Sequence, residues 1–268
     1  MITSTRNPRV ASAARLKRRD GRERERRFLI EGARLIEEAV RSKARIAEVF
    51  VAGDPGRAHL RAAERAGAEV VEVSDAVLRH LAATESPQGA VAVAAFVDVT
   101  LDAIHGDGPV AVLAEVRDPG NAGAVLRSAD AAGAAAVVFT RSSVDAYNAK
   151  AVRASAGSLF HLPVVRDVDA AAVIRALRGR GFRVLAATAG GEDSVYERDL
   201  TGEVAFVFGS EAHGLAPELA AQVDGTVRVP MRARTESLNL AAAAAVVLFE
   251  SARQRTLGPS GRRLAGSE

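Results

Sequence analysis

The stretch VPMRARTESLNLAAAAAVVLFE, Val229–Glu250, joins two unlike halves. The first is polar and carries Arg232, Arg234, Glu236, Ser237 and Asn239. The second is almost wholly apolar, with five alanines in a row. Small side chains let a helix approach its neighbours closely, so Ser237 to Arg255 reads as a tightly packed closing helix. A plain buried helix would explain the alanines. It would not explain a serine and an asparagine at the mouth.

The chain outside this stretch narrows the possibilities. With 268 residues, 48% of them apolar, it is long enough for one large domain or two ordinary ones. Aromatics are only 4%, and abundant alanine suits a layered α/β protein. No apolar run approaches the ~20 residues that span a bilayer. The N-terminus lacks an apolar signal region and the chain has no cysteine, as expected of a cytoplasmic protein with no membrane, disulfide or thiolate-metal chemistry. The formal charge of +3 is unevenly placed. Residues 1–27 hold ten Lys/Arg against three Asp/Glu, a local +7 that leaves the remainder at −4. Eight of those ten basics lie between Arg15 and Arg27, the asymmetry of a polyanion-binding segment. The plainer alternative is a solvated or frayed terminus.

Strand and helix patterns alternate along the chain. RFLIEG, IAEVFVAG, AEVVEV and GAVAVAAFV read as strands, with helices around Leu35–Val40, over RAHLRAAERAG, and from Asp75 to Ala83 with Ser74 as N-cap. These define a small α/β domain over residues 1–100, with a mainly parallel sheet expected. Gly106, Gly108 and Pro109 mark a linker over 101–109. A second alternating series fills 110–256: strands VAVLAEV, AAAVVF, LPVV, FRVLAAT, VAFVFG and TVRVP, and helices over 121–132, 145–159, 170–179 and 237–255. The last residues, 257–268, read as a flexible tail.

Common nucleotide and catalytic fingerprints are absent: no G-x-G-x-x-G after a strand, no P-loop, no G-x-S-x-G, no H-E-x-x-H. The histidines, at 59, 80, 105, 161 and 213, lack metal-ligand spacing, so no metal site is expected. What remains is three polar stretches at the ends of strands, where open α/β sheets bind ligands. In RDPGNAGAVLR, Asn121 stands at an N-cap position, and Arg127 is a long cation on a helix of small apolar residues. Such a cation either snorkels or aims at an anion. In VAFVFGSEAHG, a strand runs into Gly209, Ser210 and Glu211; the glycine permits close backbone approach, and the carboxylate is a ligand group or a helix cap. The third stretch is the one quoted first.

Taken in this order and spacing, N-x-x-x-x-x-R, F-G-S-E-x-x-G and P-M-x-x-x-x-E-S-L-N resemble the three signature motifs of the SpoU/TrmH family of SPOUT RNA 2′-O-ribose methyltransferases. The resemblance covers Val110 to about Arg255. It extends more loosely to RFLIEGARLIEEAV and SPQGAVAV, which look like the ribosomal-protein-like substrate-binding domain that often precedes the catalytic one. It implies a SPOUT domain with a parallel sheet flanked by helices and a deep trefoil knot, a topology that ordinary rules of chain connection would not suggest. It implies S-adenosylmethionine as cofactor, held by Gly209, Val229 and Leu238 with Thr188 and Met231 close by. It also implies a homodimer. Arg127, Asn121, Glu211, Ser237 and Asn239 take the catalytic positions. A guanidinium is a poor base, so Arg127 is expected to hold a phosphate and developing oxyanion charge rather than to accept a proton. Glu236 would fix a nearby arginine or stand solvated.

Arg15, Lys17, Arg18, Arg19 and Arg22 are the expected RNA contacts, acting on phosphates. An appended N-terminal domain favours large-subunit (23S) rRNA over tRNA as the substrate within this family. Two readings compete: a tRNA 2′-O-methyltransferase, and a non-catalytic RNA-binding protein that keeps the knot. A small-molecule enzyme on an ordinary doubly wound fold would leave the basic head unexplained.

Overall fold

A computed structural model describes residues 1–53, 57–85, 87–232 and 237–257. Two compact units emerge: Met1–Val97 with Tyr147–His161, and Asp98–Ala146 with Leu162 onward.

The first unit opens with helices α1 (Pro8–Arg15) and α2 (Arg19–Glu25), so the basic head is folded. Asn7 caps α1 by accepting from the Arg9 amide. Val10 and Ala13 of α1 and the following Leu16 enter a core with Val77, Leu78 and Leu81, while Arg15, Lys17, Arg18 and Arg19 stay exposed. Strands β1 (Arg27–Glu31), β2 (Ile46–Val51), β3 (Glu69–Glu72) and β4 (Ala90–Ala95) alternate with α3 (Ala33–Arg41), α4 (Arg57–Arg65) and α5 (Asp75–Leu81). Ser74 caps α5 as expected.

The sheet order is β1-β4-β2-β3, and β4 runs antiparallel to both neighbours; only β2 and β3 are parallel. The expectation of a mainly parallel sheet is therefore corrected. Alternation predicts crossover connections, but the last strand inserts between the first two. The apolar run of β4 is that of a central strand, buried at five of its six positions.

The second unit is built on a seven-stranded sheet: β5 (Val110–Leu113), β6 (Ala136–Thr140), β7 (Val164–Val168), β8 (Arg183–Ala187), β9 (Asp193–Ser194), β10 (Val204–Phe208) and β11 (Gly225–Arg228). Its order is β7-β6-β5-β10-β8-β11-β9 and every pairing is parallel. The helices are α6 (Pro119–Ala131), α7 (Ala149–Ala154, which belongs to the first unit), α8 (Ala170–Gly179), α9 (Pro217–Ala220) and α10 (Leu240–Leu257). Strands β5, β6 and β10 are buried at every position, as a parallel sheet covered on both faces requires. The fold is thus α/β with a parallel sheet and flanking helices.

Three local expectations change. The helix expected over 145–159 is α7 followed by a separate 3-10 turn, Ser158–Phe160. Gly157 interrupts it at φ 108°, and a Cβ there would lie 2.9 Å from the Glu38 side chain. The cap of α6 is Asp118, whose Oδ1 accepts from the Asn121 amide at 2.8 Å. Pro119, preset for a first helical position, moves the start of the helix forward. The closing helix begins at Leu240 rather than Ser237, because Asn239 caps it. Arg234 and Glu236, and the expected tail beyond Leu257, lie outside the described residues.

α10 packs along α6 and is tied down by polar side chains. Gln254, 1% exposed, accepts from the Leu200 amide at 2.9 Å and donates to the Arg198 carbonyl at 3.1 Å. Ser251 donates to the Leu200 carbonyl at 3.0 Å. Glu250 accepts from Arg253 and Gln254, and the Arg253 guanidinium holds its carboxyl below the usual carboxylate range. Replacing Gln254 with alanine leaves a buried amide and carbonyl without partners. Gln254→Ala should lower the unfolding free energy by about 2–3 kcal/mol in a urea titration.

Candidate active site

Four adjacent strands, β5, β10, β8 and β11, end on one side of the second unit's sheet. Beyond their carboxyl ends lies a cavity of about 540 Å³. Thr188 follows β8, Gly209 to Glu211 follow β10, and Val229 and Met231 follow β11. Asn121 reaches it from α6, and Ser237, Leu238 and Asn239 line it just before α10. This is the ligand position favoured by parallel α/β sheets. Gly209 is required by close approach: a Cβ would meet the Gly214 carbonyl carbon at 2.4 Å.

A chain of hydrogen bonds joins three of the candidate side chains. Asn239 Oδ1 accepts from the amides of Ala241 and Ala242, at 3.0 and 3.3 Å. Those two N–H groups fix which way the Asn239 amide faces. Its Nδ2 therefore donates to Asn121 Oδ1 at 3.0 Å. Asn121 in turn must donate with its own Nδ2, and does so to Glu211 Oε1 at 3.1 Å. The Arg117 amide approaches the other oxygen of Glu211 at 3.5 Å. The orientation of the whole chain is thus set by the unpaired amides at the start of α10.

All five expected cofactor positions, Thr188, Gly209, Val229, Met231 and Leu238, line the cavity. Of the five expected catalytic residues, Asn121, Glu211, Ser237 and Asn239 do so as well. Arg127 does not. It stands two turns along α6 from Asn121, exposed and outside the lining. The lining also includes Ala187, Leu240, Ala243 and Val247, which sequence reasoning did not single out. They offer small or apolar surface and backbone, with no side-chain chemistry to mark them in a sequence.

Among the described residues, Glu211 is the sole charged residue of the lining; no lysine or arginine contributes. Such a cavity has nothing to neutralise a polyphosphate. It suits a neutral or cationic ligand with apolar parts, such as a sulfonium nucleoside, and its volume is in the range of small-molecule sites. No group of three or more His, Cys, Asp or Glu able to hold a metal occurs among the described residues. Nor is any helix there long and apolar enough to cross a membrane.

The five expected RNA contacts fall in the first unit. Arg15, Lys17, Arg18 and Arg19 are exposed, and Arg18 pairs with Asp20 at 3.3 Å. Lys17 spends two donors on the carbonyls of His80 and Ala82. Arg22 is only 5% exposed and donates to the carbonyls of Leu16 and Lys17 at 3.0 Å, bracing the turn between α1 and α2.

Known proteins resemble this chain in sequence and fold. The SpoU rRNA Methylase family matches residues 108–249, and the MRM3-like substrate binding domain matches residues 7–92. The 23S rRNA (guanosine-2′-O-)-methyltransferase RlmB of Ralstonia nicotianae is 35% identical over 207 residues, 75% of this chain and 83% of that one. The 23S rRNA (guanosine(2553)-2′-O)-methyltransferase RlmP of Bacillus subtilis is 31% identical over 248 residues, 92% of this chain and 97% of that one. The crystal structure of the SpoU methyltransferase AviRb of Streptomyces viridochromogenes, in complex with AdoMet, matches with a TM-score of 0.84 and 30% identity over 93% of this chain and 98% of that one. With Asn121, Gly209, Glu211, Ser237 and Asn239 gathered on one cavity and more than half of its length matched, the chain belongs to the SpoU rRNA methylase family.

Proposed function

We propose that the chain is an S-adenosylmethionine-dependent methyltransferase acting on a ribose 2′-hydroxyl of 23S rRNA. The observation that carries this reading is the Asn239–Asn121–Glu211 chain at a cavity whose described lining has no cationic side chain. The relatives named above, including one crystallised with AdoMet, support it. S-adenosylmethionine, when bound, supplies a methyl group on a good leaving group. The protein then has to align the hydroxyl and assist loss of its proton.

In this reading Thr188, Gly209, Val229, Met231 and Leu238 hold the methyl donor. The Asn239–Asn121–Glu211 chain keeps the mouth of the cavity in one geometry before RNA arrives. Ser237 offers a hydroxyl to orient the ribose. Arg127 binds the phosphate beside the reacting ribose and stabilises negative charge developing on the 2′-oxygen. Its exposed position suits a partner brought in by RNA. Arg15, Arg18 and Arg19 serve as phosphate contacts on the first unit, and Lys17 and Arg22 contribute from the same segment. Residues 1–100 and 110–256 are read as substrate-binding and catalytic domains joined by 101–109, and the work is placed in the cytoplasm, where rRNA is made.

A trefoil knot and a homodimer belong to the same reading. The knot draws support from the cavity, since Val229, Met231 and the Ser237–Leu240 segment all return to the loops after β5, β8 and β10. The dimer draws support from α10, on which Phe249 is 50% exposed.

Arg127→Ala should abolish methyl transfer to a 23S rRNA transcript while S-adenosylmethionine affinity, measured by calorimetry, stays close to wild type; a fully active variant would remove the assignment. Asn239→Asp keeps the cap of α10 but cannot donate to Asn121. Whichever way Asn121 then turns, one contact sets acceptor against acceptor. kcat/KM should fall about 10- to 100-fold, read by incorporation of labelled methyl. Phe249→Glu should shift the chain from dimer to monomer in analytical ultracentrifugation.

A further inference from the structure

The second unit sorts its arginines into two kinds. Among the described residues, they give their guanidiniums to carboxylates, backbone carbonyls or, for Arg175, a glutamine, with three exceptions: Arg117, Arg127 and Arg232. All three are exposed. They also share a neighbourhood. Arg117 directly precedes the cap of α6, and its amide lies 3.5 Å from Oε2 of Glu211, which lines the cavity. Arg232 directly follows Met231, another lining residue. Arg127 stands on α6, the helix that brings Asn121 to the same cavity.

The chain fixes Arg117 by its backbone and leaves its side chain free. Val116, just before it, donates to Ser143 Oγ at 3.2 Å and accepts from the Val144 amide at 2.8 Å. The buried Ser143 hydroxyl donates in turn to the Leu113 carbonyl at 2.7 Å. Between these holds Glu115 takes a left-handed φ of 61°, which a non-glycine residue keeps only where its surroundings impose it. A cation on a fixed backbone loses less freedom on meeting a ligand than one on a loose segment. Charge gives the ligand its sign. Glu211 is the sole charged residue of the described lining, and a carboxylate repels an approaching phosphate unless cations stand beside it. Arg117 lies against the loop after β10 and Arg232 in the segment after β11, with β8 between those strands. About two strand spacings, ~10 Å, therefore separate the two mounts.

We propose that Arg117 and Arg232 receive backbone phosphates of the RNA on the two sides of the target nucleotide, joining Arg127 at the rim of the cavity. Guanidinium forks suit phosphate oxygens, and three unpaired ones around a cation-free lining leave the methyl donor undisturbed while the polyanion is held at the edge. The proposal rests on the reading of the chain as an rRNA methyltransferase. It extends RNA contact from the basic head of the first unit to the second.

The test uses the full chain carrying Arg117→Gln, Arg232→Gln or both. Binding of a 23S rRNA transcript is measured across a salt series, with the thermal midpoint and calorimetric binding of S-adenosylmethionine recorded alongside. Each single variant should raise the RNA Kd about 3- to 10-fold and make the log–log salt slope shallower by about 0.7–0.9, the change for one lost phosphate contact. The double variant should show about twice that change in slope. Midpoint and donor affinity should match the wild type, because both side chains are exposed and unpaired among the described residues. Lysine at either position should restore the slope and part of the affinity, since it keeps the charge and loses the fork.

Arg255→Gln is the control for net charge. Its guanidinium is engaged by the Gly202 carbonyl, and it stands about 22 Å along α10 from the start of that helix. RNA affinity should stay within about twofold of wild type; a loss equal to that of the rim variants would make the effect one of overall charge and overturn the proposal. Weaker S-adenosylmethionine binding with unchanged RNA affinity would assign the arginines to the carboxylate of the methyl donor and overturn it too. A wild type that methylates the transcript while the double variant binds RNA with unchanged affinity and slope refutes the rim contacts alone. A wild type that neither binds nor methylates the transcript refutes the functional reading and the contacts with it.

Discussion

The amides left unpaired at the start of α10 govern the mouth of the second unit's cavity. A helix always begins with N–H groups that lack partners within it, and here Asn239 satisfies two of them. Because its carbonyl oxygen is used in this way, its amide nitrogen must point at Asn121, and Asn121 must point its own nitrogen at Glu211. Backbone hydrogen bonding of one helix thus sets the polarity of three side chains from three distant parts of the sequence. The asparagine at the mouth of the alanine-rich helix has its explanation: it caps the helix and orients the site in the same act.

That arrangement depends on α10 staying in place. Its alanines allow close packing along α6, while Ser251 and Gln254 hold it to the carbonyls and amide of Arg198 and Leu200. Packing sets distance and the buried polar groups set register. Asp118 does for α6 what Asn239 does for α10, and in capping α6 it frees the Asn121 side chain for Glu211.

The two units divide the electrostatics of the chain. Positive charge is concentrated on the head of the first unit, where α1 turns its apolar face inward and leaves Arg15, Lys17, Arg18 and Arg19 exposed. The described lining of the second unit's cavity has no cation at all. A polyanion and a sulfonium-bearing nucleoside place opposite demands on side chains, and the two units differ in the charge they offer in just that way.

Much of this was legible in the sequence because it rests on local pattern. Six of the seven strands of the second unit (all but β9), the helix from Ala170 to Gly179, the cap at Ser74 and the three polar stretches follow from hydrophobic period and from residues that suit caps and turns. Spacing within the motifs singled out Asn121, Gly209, Glu211, Ser237 and Asn239, and tertiary structure places all of them on one cavity. Other features belong to tertiary structure alone. The insertion of β4 between β1 and β2 makes the first sheet mostly antiparallel, and alternation of helix and strand carries no information about which strand inserts where. The exposure of Arg127 and the burial of Arg22 could not be read from charge, since a run of basic residues does not say which of them meets a carbonyl. Sequence determined most of the elements that form and the polar residues that stand at their ends, because helix, strand and cap preferences are short-range. Direction of pairing, partner choice and burial were decided by the fold, because each depends on groups brought together from far along the chain.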